Sequence, residues 1–184
     1  MKDTVVIVGH PDLNGQSLAN RLIVDKLKTL EKTEVRILSE LYPDFRIDVA
    51  AEQAALVRAQ TIVLQFPFHW YSVPGLLKKW IDDVLAYGFA YGSTGTRLQG
   101  KHLVLSFTVG GPEESYGKGG YNTFTIKDML PPLLQTANLC GMKLAEPVYT
   151  HGMVYIPDVY NVKEEVEARA IAHGEKLISA LQRI

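Results

Sequence analysis

From position 65 the chain reads Gln65-Phe66-Pro67-Phe68-His69-Trp70-Tyr71-Ser72-Val73-Pro74. Phe68, His69, Trp70 and Tyr71 stand in a row between two prolines. Each proline fixes φ, so the rings are held in place. Trp and Tyr on a tight loop are costly to leave in water, which predicts a flat apolar ligand covering Trp70 and Tyr71. A second candidate lies near the start, where His10 and a polar run lead to Ser17 and Asn20. A serine ahead of an apolar periodic run is a helix N-cap, and the free N–H groups and dipole of a helix start suit a phosphate. His10 can add a hydrogen bond or a charge there. The third candidate is Thr108-Val109-Gly110-Gly111, whose glycines let backbone approach a ring closely.

Regular elements must bring these three stretches together. Thr4-Val5-Val6-Ile7-Val8 is a continuous β-branched run, the pattern of a strand buried on both faces. A helix follows Ser17 with Leu18, Leu22, Ile23, Leu27 and Leu30 as its apolar face. Alternation over 34–38 predicts a more exposed second strand, and 42–48 is a loop with Pro43. An alanine-rich helix is expected over 49–59 and a buried third strand over 61–66. The next helix, from Gly75, carries Leu76, Leu77, Trp80, Ile81, Val84 and Leu85 at helical spacing. After an excursion over 87–100 come a fourth strand over 101–109, a long loop over 110–122 and a helix over 125–139, broken or delayed at Pro131-Pro132. A fifth strand is expected over 143–149 and a last amphipathic helix over 163–181.

Strands alternating with helices, without repeats or linkers, predict one domain over 1–184: an α/β three-layer sandwich with a five-stranded parallel sheet. Right-handed crossovers leave few topologies, and the flavodoxin-like order 2-1-3-4-5 is the common one. Gly9-His10-Pro11 is not the glycine fingerprint of a dinucleotide-binding half. In this order ligands bind beyond the carboxyl ends of strands one, three and four. The three unusual loops, 9–17, 67–74 and 110–122, follow those strands. A phosphate at one end and a flat ring at the other describe a flavin mononucleotide.

Other features read more plainly. Gly117-Lys118-Gly119-Gly120 lacks the spacing and hydroxyl of a nucleotide phosphate loop and reads as a mobile lid; Glu113-Glu114 reads as a solvated pair. His69, His102, His151 and His173 show no metal-ligand spacing, so no metal is expected. The net charge of −1 gives no reason to expect nucleic acid or an anionic membrane as partner. The one cysteine, Cys140, lies in an apolar helical stretch as a small buried hydrophobe, and a reducing compartment fits it. The apolar run after Met1 is too short for a signal peptide or a membrane span, so a cytoplasmic protein is expected.

The set His10-Pro11, Ser17-Leu18-Ala19-Asn20, Tyr42-Pro43-Asp44, the whole of 65–74, Phe89-Ala90-Tyr91-Gly92, Leu98-Gln99-Gly100-Lys101 and Thr108-Val109-Gly110-Gly111 resembles the NAD(P)H dehydrogenase (quinone) family. The likeness runs from residue 4 to residue 152. Among small bacterial members it is similar to general-stress-type oxidoreductases and to the ancillary oxidoreductases of glutathione-gated potassium efflux systems. Ile47-Asp48-Val49-Ala50-Ala51-Glu52-Gln53 particularly resembles the latter.

The resemblance implies a flavodoxin-like homodimer with shared active sites and flavin at the subunit interface. His10, Ser17, Leu18, Ala19 and Asn20 would hold the phosphate side. Pro67, Phe68, His69, Trp70 and Tyr71, with Thr108, Val109, Gly110 and Gly111, would hold the isoalloxazine ring. Phe89 and Tyr91 would roof the partner's site. Tyr116 matches a tyrosine that stabilises reduced flavin, but the histidine the family places a few residues on is replaced by Gly120-Tyr121-Asn122. Tyr116 and Tyr121 are thus expected to supply hydrogen bonds near flavin O2 or N1, in place of a tyrosine–histidine relay. FMN is expected over FAD, with NAD(P)H as reductant. The implied activity is ping-pong hydride transfer through flavin N5 to a quinone or similar acceptor. The alternative is an ancillary regulatory subunit of a potassium-efflux protein, peripheral to the inner face of the membrane. A flavodoxin-like electron carrier would need a strongly acidic docking face, which a net charge of −1 does not offer.

Overall fold

In the computed structural model, which describes residues 3–184, the β-branched run forms strand β1 (Thr4–Val8), buried along its whole length. A short helix α1 (Leu13–Gln16) occupies part of the expected first loop, and α2 (Leu18–Lys28) follows Ser17. Then come β2 (Thr33–Ile37), α3 (Leu38–Leu41), α4 (Val49–Arg58), β3 (Thr61–Pro67), α5 (Gly75–Val84) and β4 (His102–Thr108). The chain continues through a 3₁₀ turn (Glu113–Ser115), α6 (Ile126–Met129), α7 (Pro131–Leu139), β5 (Lys143–Leu144), β6 (Val148–Thr150) and α8 (Lys163–Arg183). The strands are parallel and ordered β2-β1-β3-β4-β5, with β6 also paired to β4. This is the expected order.

The fifth position corrects the expectation of one unbroken strand over 143–149. Leu103 lies opposite Leu144 and Ser106 opposite Val148, so residues 145–147 face only residues 104 and 105. The extra residue is a bulge on the sheet edge, where Pro147 has no N–H to give the ladder. The second strand also stops one residue early, because Leu38 opens α3. At Pro131-Pro132, where a break or a delayed start is expected, the structure shows the late start: the prolines open α7, and proline at the first helical position has no N–H to lose.

Two apolar layers sandwich the sheet. Val5, Ile7, Leu64, Phe66, Leu105 and Phe107 face α4, α5 and α7. Val6, Val8, Val63 and Val104 face α2 and α8. On α2 the buried face is centred on Ile23, Val24 and Leu27, while Leu18 and Leu22 are only partly buried. By the two-residue period, Gln65, Ser106 and Thr108 fall on the α2/α8 side. All three are buried.

Among the described residues, the opposite layer holds one buried carboxylate, Glu52, on α4. Arg36 Nε donates to it at 2.9 Å, the Tyr42 hydroxyl at 2.6 Å and Trp80 Nε1 at 2.8 Å. Trp80 is core, as its spacing implied, but its N–H has this specific acceptor. The hydrogen bond from Arg36 to Glu52 raises the guanidinium's affinity for its proton, and burial pushes the Tyr42 phenol up to about 12. The cluster ties β2, the turn after α3, α4 and α5 together. Glu52→Ala would leave Arg36 without its buried partner and should cost about 3–5 kcal/mol. A thermal melt should show Tm lowered by roughly 6 °C or more. A melt that overlays the wild type would show that the cluster contributes nothing to stability.

Candidate functional site

The ladder between β1 and β3 runs one residue past Val8, where the Gly9 N–H donates to the Gln65 carbonyl at 2.8 Å. Gly9 must be glycine, since a Cβ there would come within 2.7 Å of the Leu77 side chain. The chain then turns through His10, which is buried. The Asp12 N–H donates to His10 Nδ1 at 3.1 Å, so Nδ1 is unprotonated and Nε2 carries the ring's proton. Burial, followed by the nearby His69, lowers the His10 pKa to about 4, against a smaller opposing pull from Asp12. His10 is therefore a neutral donor at ordinary pH. Asp12 caps α1 by accepting from Gly15 N–H at 2.9 Å. Ser17 caps α2, its Oγ accepting from Asn20 N–H at 3.0 Å. The first N–H groups of α2 have no partner within the helix, and Leu18, Asn20 and Arg21 of its first turn line the same cleft as His10.

The aromatic stretch after β3 is a tight hairpin. His69 and Ser72 exchange main-chain hydrogen bonds of 3.1 and 3.0 Å around Trp70 and Tyr71. Both central residues have positive φ, 46° and 65°, the pattern of a two-residue turn that ordinarily takes Asn-Gly. Holding two bulky aromatics there stores strain, and such strain concentrates at functional positions. Phe68 lies flat against Phe107 at 5.3 Å between ring centroids. Trp70 is 91% exposed, its ring open to a covering group. Tyr71 turns its hydroxyl to Asn122 Oδ1 at 2.9 Å and so ties this hairpin to the loop after β4.

The loop after β4 packs tyrosines around Gly111. A Cβ on Gly111 would lie 3.3 Å from the Tyr116 ring and 3.4 Å from the Tyr121 hydroxyl. Burial raises the Tyr116 pKa, with smaller contributions from Tyr121, Tyr71 and Tyr160. A histidine does stand beside Tyr116, contributed by another part of the chain: His151, just after β6, has its ring 5.1 Å from that of Tyr116. His151 Nδ1 lies 3.3 Å from the Gly111 carbonyl, which can only accept, so Nδ1 bears the proton.

One cleft of about 490 Å³ joins the first two loops to the start of the third. Of the expected residues, His10, Ser17, Leu18, Asn20, Pro67, Phe68, His69, Thr108 and Gly110 line it. Gly111, Tyr116 and Tyr121 form the adjoining cluster. The Ala19 and Val109 side chains are in the core, and the Val109 N–H is taken by the Thr150 carbonyl at 2.9 Å.

The family model described as flavodoxin-like fold matches residues 2–175. The chain belongs to the flavodoxin-like fold family. It is 43% identical over 174 residues to the glutathione-regulated potassium-efflux system ancillary protein KefF of Klebsiella pneumoniae, covering 95% of this chain and 94% of that one. The crystal structure of general stress protein 14 from Treponema denticola in complex with FMN matches with a TM-score of 0.86 and 31% identity, over 97% of this chain and 99% of that one. An NADPH-quinone reductase structure from P. pentosaceus matches with a TM-score of 0.77 and 25% identity, over 96% and 97%.

Several members of this flavodoxin-like cleft had no signal in the sequence reading. Met153, Val154, Tyr155 and Pro157 form a wall beyond the last motif, and Lys163 adds a cation from the start of α8. Arg21, also in the wall, directly follows the Ser17-Leu18-Ala19-Asn20 motif and its charge next to a helix start was a usable signal.

The two most buried histidines set a pH dependence. Burial holds His10 and His173 at about 4 in the folded chain, against 6.5 for a free imidazole. Between those values the unfolded chain binds more protons, so stability rises with pH and is lost as pH falls from 6.5 toward 4. Denaturant midpoints measured across this window should fall with acidification, and His10→Gln should remove part of the slope. An unchanged slope in the variant would mean His10 titrates alike in both states.

Proposed function

We propose that the chain is an FMN-dependent NAD(P)H:quinone oxidoreductase, working as a homodimer with a second copy covering the exposed rings of Tyr87, Tyr121 and Phe124. The observation that carries this reading is the cleft where the capped start of α2 meets Phe68 and His69 of the aromatic stretch. The residues present fit FMN. The start of α2, Ser17, the neutral donor His10 and the cations Arg21 and Lys163 line the cleft, while the Asp12 carboxylate is turned to the Gly15 N–H. That donor set suits a phosphate. Pro67, Phe68 and His69, with Gly110 of the third loop, line the same cleft and suit a flat ring.

When bound, FMN supplies two-electron chemistry, taking hydride from NAD(P)H and giving electrons to a quinone. The protein's part is to bind, orient and polarise. The α2 start with His10 and Ser17 anchors the phosphate. Pro67, Phe68, His69, Trp70 and Tyr71 wall the ring, and Trp70 offers an exposed face for the nicotinamide and then the quinone to stack on. Backbone N–H groups at Gly110 and Gly111, with the hydroxyls of Tyr116 and Tyr121, stabilise negative charge developing at the ring edge. His151, beside Tyr116, keeps a protonated Nδ1 on the Gly111 carbonyl and so fixes where that loop lies. The similarity to the potassium-efflux ancillary protein favours a second reading, a regulatory subunit docked on such an efflux protein.

Reconstituted protein should bind FMN and oxidise NAD(P)H with menadione in the absence of any partner. A flavoprotein silent until mixed with membranes carrying an efflux protein would favour the subunit, and a protein that takes up neither FMN nor FAD would end the cleft reading. Ser17→Ala should weaken FMN binding about tenfold or more, the worth of one hydrogen bond to a charged group. Riboflavin, which has no phosphate, should bind the variant and the wild type alike; equal losses for both ligands would remove Ser17 from the phosphate end.

A further inference from the structure

Behind the cleft a line of side chains runs through the α2/α8 layer to the last helix. Asn20 Nδ2 lies 3.0 Å from Thr108 Oγ1, Gln65 Nε2 2.9 Å from Asn20 Oδ1, and Ser106 Oγ 2.6 Å from Gln65 Oε1. Ser106 Oγ is also 2.9 Å from His173 Nε2, and Thr150 Oγ1 is 3.0 Å from His173 Nδ1. Asn20, Gln65, Ser106, Thr108 and His173 are all buried. Only Asn20 and Thr108 reach the cleft wall.

Such a line has a direction. A serine hydroxyl has one proton, an amide donates only from nitrogen, and a neutral imidazole carries one N–H. Ser106 donates to Gln65, so it must accept from His173, which puts the ring's proton on Nε2. His173 Nδ1 then accepts from Thr150. Gln65 donates to Asn20, and Asn20 donates to Thr108. Thr108 therefore receives its inward bond as an acceptor, and its own O–H is free to donate into the cleft. The opposite polarity, with the proton on His173 Nδ1 and a lone pair of Thr108 facing the cleft, would need the amides of both Gln65 and Asn20 turned over from the positions they hold. Anything between the two sets donor against donor, or lone pair against lone pair, where water cannot repair it. Burial, with Lys176 as a smaller influence, lowers the His173 pKa to about 4 and keeps the ring neutral, as the line requires.

The geometry points to His173 as a positioning residue: its tautomer sets Thr108 as a hydrogen-bond donor to the ligand in the cleft, so the site selects a ligand atom that accepts there. This deepens the FMN reading, and it rests on that reading only for the identity of the ligand. No step of it needs His173 to touch the cleft.

Side-chain ¹⁵N NMR of the whole protein, with and without FMN, reads the tautomer. The expected result in both states is a neutral His173 protonated on Nε2. Proton on Nδ1, a charged ring, or fast averaging between tautomers would overturn the assignment. If FMN does not bind, the FMN reading fails, while the ligand-free spectrum still decides the direction of the line. FMN affinity supplies the second test. Ser106→Ala, remote from the cleft, should weaken FMN about fivefold, and Thr108→Val should weaken it as much or more, with Thr108→Ser near wild type. In the Thr108→Val background the effect of Ser106→Ala should vanish, since both changes remove the same donor. Independent, additive losses would mean that Ser106 does not act through Thr108 and would overturn the positioning role.

Discussion

Three main-chain hydrogen bonds keep the ends of four parallel strands in step: Gly9 N–H to the Gln65 carbonyl, Phe68 N–H to that of Thr108, and Val109 N–H to that of Thr150, each 2.8–2.9 Å. They carry the ladders one residue beyond β1, β3 and β4. Because they do, the loops that follow leave the sheet at one level and in fixed directions. The cleft is the space those loops cannot fill. Helix α2 aims its start into it because Ser17 ends one helix and caps the next. The hairpin of Trp70 and Tyr71 sits where it does because Pro67 is still paired with Thr108 in the sheet.

The two faces of the sheet manage polarity differently. On the α4/α5 face polarity is gathered at one buried carboxylate, Glu52, held by donors from three other segments. That arrangement is structural, since no cleft residue takes part. On the α2/α8 face the polar groups are strung out along Gln65, Ser106 and Thr108, and each is answered by a side chain of α2, α8 or the strands beside it. A purely apolar face would pack at least as well. The polar line on the face behind the cleft thus fits a part in orienting the groups that meet the ligand.

Much of this was legible beforehand, for local reasons. The β-branched runs, the helical spacing of Leu76, Leu77, Trp80 and Val84, and Ser17 ahead of an apolar periodicity each report their own neighbourhood. From these the strand order and the converging loops follow by rules of connection. What escaped depends on residues distant in the chain. Asn20, Gln65, Ser106 and His173 meet only once the sheet is assembled, so no spacing announces them. The same holds for His151, which reaches Tyr116 from just after β6. The bulge before β6 escaped because a proline in an edge strand is tolerated. The turn at Trp70 and Tyr71 escaped because nothing in two aromatics predicts positive φ; the prolines suggested rigidity without its form.

The central claim is that loops from three parts of the chain make one flavin cleft. Amide ¹H–¹⁵N spectra recorded while FMN is added test it most directly. The account predicts that residues in 9–20, 68–71 and 108–111 shift together, at one common affinity, while the Glu52 cluster stays still. Shifts confined to one loop, spread at separate affinities, or absent from all three would contradict it.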